Sequence, residues 1–166
     1  MKNTRKIACL LLLSLLPSCC LGCKKSASYT NTLTAREAAT AVLERMDEED
    51  FSNAEAGYLD DYFVAPEGVL DFVICIANDG NDLDEFGIWH MQENKATEIR
   101  SLLESYLRSS LDRNLAFYES YIPHEVSKLR DAEVHVFGDY AAYAIMDAED
   151  RAEFFQELEK ILIISN

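Results

Sequence analysis

Thirty acidic residues face fifteen basic ones in a chain of 166, and the resulting net charge of −15 repels phosphate backbones and anionic lipid headgroups. Nucleic acid is thereby excluded as a partner. The length suits one domain with a single core and is short for two.

Lys2, Arg5 and Lys6 precede an apolar run over residues 7–16, the charged and hydrophobic regions of an export signal, too short to span a membrane. The PSCCLGCKK that follows has the small-residue-then-cysteine ending of a lipobox, where a signal peptidase cuts ahead of a cysteine that becomes diacylated. Cys23, directly after Gly22, is the expected lipidation site; Cys19, with Leu16 three before it but Pro17 between, is the alternative. The expected organisation is a signal peptide over residues 1–22, a lipidated cysteine and flexible tether over 23–33, and a single domain over 34–166. Removing the first 22 of 166 residues leaves 144, with 12 basic and 30 acidic side chains and a charge near −18. Membrane contact is then through the lipid, at the extracytoplasmic face.

The remaining cysteine, Cys75, lies in the apolar run VLDFVICIA and reads as a small buried hydrophobe, since nothing local would lower its pKa. Residues 24–33, polar and rich in Ser and Thr, read as tether. Thr34 and Glu37 form a capping box that opens a helix with a narrow stripe of Ala35, Ala38, Ala39, Val42, Leu43 and Met46. The acidic residues 47–50 oppose the helix dipole and should stop it. Tyr58, Leu59, Tyr62 and Phe63 suggest one helical turn before Pro66. The β-branched and aromatic run of residues 69–77 predicts a strand, NDGND at 78–82 a turn, and residues 86–92 the hairpin partner.

Ile99, Leu102, Leu103, Tyr106, Leu107, Ser110 and Leu111 then recur at spacings of three and four, one face of a long amphipathic helix. Phe117, Tyr118 and Tyr121 are expected to pack over the end of the sheet in a connector closed by Pro123. Residues 132–137 alternate as a half-buried strand, Gly138 and Asp139 turn the chain, and residues 140–146 return. Asp147 is expected to cap a final helix with a stripe of Ala148, Ala152, Phe155, Leu158 and Leu162. A strand-strand-helix unit thus occurs twice. The expected fold is α+β, a four-stranded antiparallel sheet with helices mainly on one face, plus the N-terminal helix.

The lipobox-like start, DEFGIW, EIRSLLESYL, FYESYIP with HEVSKL, and AEVHVFGDYAAYAI together resemble the bacterial lipoproteins grouped as domain of unknown function 4358, common in Firmicutes. The resemblance covers residues 35–162 and implies no activity, cofactor or catalytic residue.

Motifs for metalloprotease, nucleophile-elbow or phosphate-loop chemistry are absent, and no cofactor is expected. Asp79, Asn81, Asp82 and Asp84 are oxygen donors close together, but their spacing departs from the EF-hand loop and tight hairpins use the same residues. His90 and His135 could share a metal only from adjacent strands. With helices on one side, the other sheet face would expose some of Trp89, Met91, His135, Tyr140 and Tyr143, an interface candidate unless another segment covers it. The sequence therefore points to a non-enzymatic binding or accessory module for an envelope protein, with a solute- or cation-binding lipoprotein as the alternative.

Overall fold

Thr34 opens the first helix as its sequence requires. Its hydroxyl accepts from Glu37 N at 3.2 Å, and Thr34 N donates to the Glu37 carboxylate at 2.8 Å. The helix also binds the sheet end-on, because Ala35 N donates to Asp71 Oδ1 at 2.5 Å. The computed structural model describes residues 27–55 and 57–164, so Cys19 and Cys23 lie outside the described residues. In chain order the elements are α1 (Ala35–Met46), β1 (Phe51–Asn53), β2 (Val69–Ala77), β3 (Glu85–Met91), α2 (Ala96–Tyr121), α3 (Val126–Arg130), β4 (Glu133–Phe137), β5 (Tyr140–Ile145) and α4 (Ala148–Leu162).

The fold is α+β, and its sheet has five strands, in the order β1-β2-β3-β5-β4 with every pair antiparallel. The two expected hairpins, β2-β3 and β4-β5, meet through β3 and β5 at the centre. The fifth strand is β1, a three-residue edge strand in which Phe51 to Asn53 pair with Ala77 to Cys75. Three residues are too few to show a periodicity.

Helices cover both faces of the sheet, which corrects the one-sided expectation. On one face α1 and α4 bury Ala38, Val42, Phe154 and Leu158 against Ile88, Ala142 and Ala144. On the other, α2 buries Ile99, Leu103, Tyr106 and Leu107 against Trp89, Ala141, Tyr143 and Ile145. Both central strands are buried along their whole length, so each must be apolar on two sides. The free aromatic face disappears with this arrangement. Trp89 is 1 % exposed, and Met91, Tyr140 and Tyr143 are equally inaccessible. His135 is only half-buried on edge strand β4, where it pairs with Glu133 at 2.8 Å and stacks on Phe155. It cannot share a metal with His90, because β5 lies between their strands.

Gly87 belongs to the same packing. It sits opposite Tyr143 in the β3-β5 register, and a Cβ there would collide with Tyr143 Cε1. The missing side chain lets the tyrosine ring lie across β3.

The long helix extends further at its C-terminus than expected. It begins without a side-chain cap and runs on through Phe117 and Tyr118 to Tyr121. Its 26 residues extend about 39 Å, against about 23 Å for the seven residues of β3. The last turns therefore overhang the sheet, leaving Tyr121 72 % exposed and Phe117 exposed beside it. In α4 the inward stripe is Arg151, Phe154, Phe155, Leu158 and Leu162, while Ala148 and Ala152 face out. Asp147 holds the cap position without a side-chain hydrogen bond. Arg151 instead ties the start of α4 to the sheet, donating to Met146 O at 2.9 Å and to Glu133 at 3.2 Å.

Part of the expected tether is bound to the domain. Thr30 N donates to Leu162 O and Ile164 N to Ser28 O, each at 2.7 Å, around an antiparallel bridge between Tyr29 and Ile163. The Tyr29 ring packs edge-on to Phe137 and against Gly138. The chain thus enters the domain at the β4-β5 turn.

Candidate functional site

At the opposite end of the sheet, on the α2 face, lies a cleft of about 220 Å³. One wall is α2, through Tyr106, Ser110, Asn114 and Tyr118; the second is the turn carrying Tyr58 and Tyr62; the third is the β2-β3 loop with Asp79, Asp82 and Asp84. Ile76, Leu129 and Ile145 supply apolar surface, and Glu85 stands at the base.

Glu85 opens β3 and is buried, 6 % exposed. A carboxylate in such a place needs hydrogen-bond donors, and three tyrosines provide them. Tyr106 and Tyr143 hydroxyls each donate to Oε1 at 2.6 Å, and the Tyr58 hydroxyl donates to Oε2 at 2.7 Å. Burial first, and then the neighbouring Glu85 charge, push all three hydroxyls above the ordinary phenol range. Their protons stay in place across the physiological range. Tyr62 stacks edge-on against Tyr106, and the guanidinium of Arg113 sits over its ring, 4.5 Å from the centroid.

Beside this cluster Lys128, 7 % exposed, reaches from α3 into the β2-β3 loop. Its Nζ lies 2.8 Å from Asp82 Oδ1, 2.7 Å from Asp84 Oδ1 and 2.9 Å from Glu125 Oε2. The Asp84 oxygen is close as an ion pair without the alignment of a hydrogen bond. Leu83 N donates to Glu125 at 3.1 Å and Asp84 N to Asp82 at 2.9 Å, so the loop backbone is fixed by the same carboxylates. Burial opposes the charge on Lys128, but its close contacts with Asp82, Asp84 and Glu125 outweigh it and hold the ammonium above the ordinary lysine range.

The weak metal candidates of the loop are thereby separated. Oxygens of Asp82, Asp84 and Glu125 lie within 4.8 Å of one another, a spacing that could hold a metal ion. Lys128 already supplies the cation. Asp79 and Asn81 stand apart in a turn of their own, where Asp79 Oδ1 accepts from Asn81 N at 2.9 Å and from Asn81 Nδ2 at 3.1 Å. Glu125 and Lys128 escaped sequence reasoning because they lie more than forty residues from the loop they fix. Elsewhere, Cys75 is buried and its thiol is pushed up to about 11 by that burial, which suits a core residue and not a nucleophile.

The family model described as a domain of unknown function, DUF4358, matches residues 44–146 of the 166. The chain belongs to the DUF4358 family. No curated protein and no solved structure matches it. The DUF4358 match runs from the end of α1 through β5, so it includes every residue named above as lining the cleft, while α4 and residues 28–33 lie outside it.

Asp84 gives this DUF4358 chain a testable pH response. Burial raises its carboxyl to about 6 despite the attraction of Lys128, whereas unfolding returns it to the ordinary value of 3.8. Between those values the folded state holds the proton and the unfolded state does not. The resulting stabilisation is complete below about pH 4 and is lost as pH rises to about 6. Asp82 moves the other way: burial is outweighed by Lys128 and by the Asp84 N–H, its carboxyl is held low, and its contribution is lost in acid. Asp84→Asn should therefore melt with a smaller decline between pH 4 and 7 than the wild type, by about 2 kcal/mol in unfolding free energy. Denaturant titrations at the two pH values measure this, and parallel declines in both chains would contradict it.

Proposed function

We propose that this DUF4358 chain is a lipid-anchored, extracytoplasmic, non-enzymatic binding module for another envelope protein, and that the acidic tyrosine-lined cleft is its contact site. The observation that supports this reading best is the opposition of tether and cleft. Residues 28–30 join the domain beside Phe137 and Gly138, whereas Glu85 and Ile145 lie at the other end of β3 and β5, about 20 Å along the strands. An anchor on Cys23 therefore leaves the cleft facing away from the lipid. Among the described residues no helix is long and apolar enough to cross a membrane. The net charge of −15 disfavours nucleic acid and anionic headgroups as occupants. The mixed lining of aromatic rings and convergent carboxylates makes a solute or cation, bound by the same residues, the second reading.

In-cell photo-crosslinking from position 79, at the cleft rim, tests the proposal against crosslinking from position 40 on the far face of α1. One envelope protein should be captured from position 79 and not from 40, and Cys23→Ala should release the chain from the membrane and abolish the capture. Equal labelling from both positions, or none from either with the anchor intact, would refute the adaptor role.

A further inference from the structure

Hydrogen bonding around the cleft is unbalanced. The hydroxyl hydrogens of Tyr58 and Tyr106 point at Glu85, Lys128 is engaged by three carboxylates, and the Asn114 amide donates to Ser110 O at 3.0 Å. The Tyr58 and Tyr106 oxygens keep free lone pairs, the carboxylates of Asp79, Asp82 and Asp84 add further acceptors, and the hydroxyls of Tyr62, Ser110 and Tyr118 can accept as well as donate. Charge follows the same direction. Asp79, Asp82, Asp84 and Glu85 line the space, Glu125 stands behind them, and Lys128 is the only cation among these groups. Tyr62 shows what its ring accepts, since Arg113 already covers one face.

We infer that the cleft is a receptor for one lysine or arginine side chain presented by the partner, an inference that rests on the module reading above. The occupant must bring positive charge, because an anion would meet the carboxylates of Asp79, Asp82, Asp84 and Glu85. About 220 Å³ is below the range of pockets that enclose whole small-molecule ligands, and it suits one side chain. Exposed Phe117 and Tyr121, tilted together with ring centroids 4.6 Å apart next to Tyr118, supply an aromatic rim of the kind that protein interfaces use.

The test uses the full chain in detergent with its tyrosine rings isotope-labelled for NMR. Nα-acetyl-lysine methylamide and Nα-acetyl-arginine methylamide are the probes, and Nα-acetyl-norleucine methylamide is the neutral control of matching stem. The ring signals of Tyr58, Tyr62 and Tyr118 should move saturably with the cationic probes and about tenfold more weakly, or not at all, with norleucine. Asn114→Lys places a resident cation in the cleft and should abolish the response with the fold retained. If that variant does not fold, Asp79→Asn, on the exposed rim, should weaken lysine binding and leave norleucine unchanged. Equal binding of norleucine and lysine, or no binding of either, overturns the inference. A partner captured from position 79 by a chain that ignores both probes would leave the module reading standing and remove this ligand class. Lysine binding with no captured partner would do the reverse, and point to a free cationic solute.

Discussion

Lys128→Met lowers the stability of the domain by about 3–5 kcal/mol, a drop of roughly 10–20 °C in melting temperature. The lysine is 7 % exposed and its Nζ lies within 2.9 Å of oxygens from three acids. Methionine fills a similar volume, so the loss comes from charge and not from a cavity. Asp82, Asp84 and Glu125 are left facing one another without a cation, and the hydrogen bonds by which Glu125 and Asp82 hold Leu83 N and Asp84 N then tie together groups that repel. Two further results identify this mechanism. Acid relieves repulsion between carboxylates, so the deficit of the variant narrows from pH 7 to pH 5. Millimolar calcium raises the melting temperature of Lys128→Met, whose three oxygens lie within 4.8 Å, and leaves the wild type unchanged because the ammonium occupies the same place. A wild-type chain stabilised by calcium would contradict the reading of Lys128 as the resident cation.

Glu85→Leu is the second large effect, about 3–4 kcal/mol. Three phenol hydroxyls lose their acceptor at once, and the Tyr143 ring cannot swing toward water because it is packed across Gly87. Glu85→Gln retains the shape and one acceptor oxygen but turns an amide toward hydroxyl hydrogens, so it costs less, about 1–2 kcal/mol. Tyr143→Phe alone removes one donor and costs about 1 kcal/mol. In the double variant Glu85→Leu, Tyr143→Phe the two losses should sum to less than their separate values, since the phenylalanine removes one of the stranded hydroxyls. Strict additivity would mean that the short contact between them carries no energy. Equilibrium urea unfolding of the four chains decides it.

The positions of β2, β3, β4 and β5 were legible because turns punctuate them: NDGND before β3 and Gly138-Asp139 before β5 stand between runs of strand-forming residues. The side to which each strand turned was not. FGIWHM and YAAYAI do not alternate, and a strand without alternation is one buried on both faces. That absence was the available sign that α2 and α4 would take opposite sides of the sheet, and with it the aromatic face offered by Trp89, Met91, Tyr140 and Tyr143 closes. The candidate site was legible by halves. Asp82 and Asp84 stood out as loop carboxylates, but Glu125 and Lys128 lie in a helix of five residues and its flank, where no periodicity marks an inward face. Glu85 carried a fainter signal, an acid at the head of an apolar strand with tyrosines at inward positions of α2 and β5. Buried tyrosines need a partner for their hydroxyls, and no other acid heads a central strand.

If the chain is held by the proposed lipid at Cys23, the bridge between Tyr29 and Ile163 has a mechanical meaning. Tension from the membrane would then reach the domain first at the two hydrogen bonds joining Ser28 and Thr30 to Ile164 and Leu162. The next firm attachment inward is the bond from the Tyr140 hydroxyl to Leu33 O at 2.6 Å, followed by that from Ala35 N to Asp71. When the outer pair parts, residues 28–32 would straighten and lengthen the leash by up to about 17 Å, drawing the Tyr29 ring off Phe137 but leaving the sheet in place. A module anchored in the proposed way would follow a partner moving away from the membrane over that distance before any force reached the cleft.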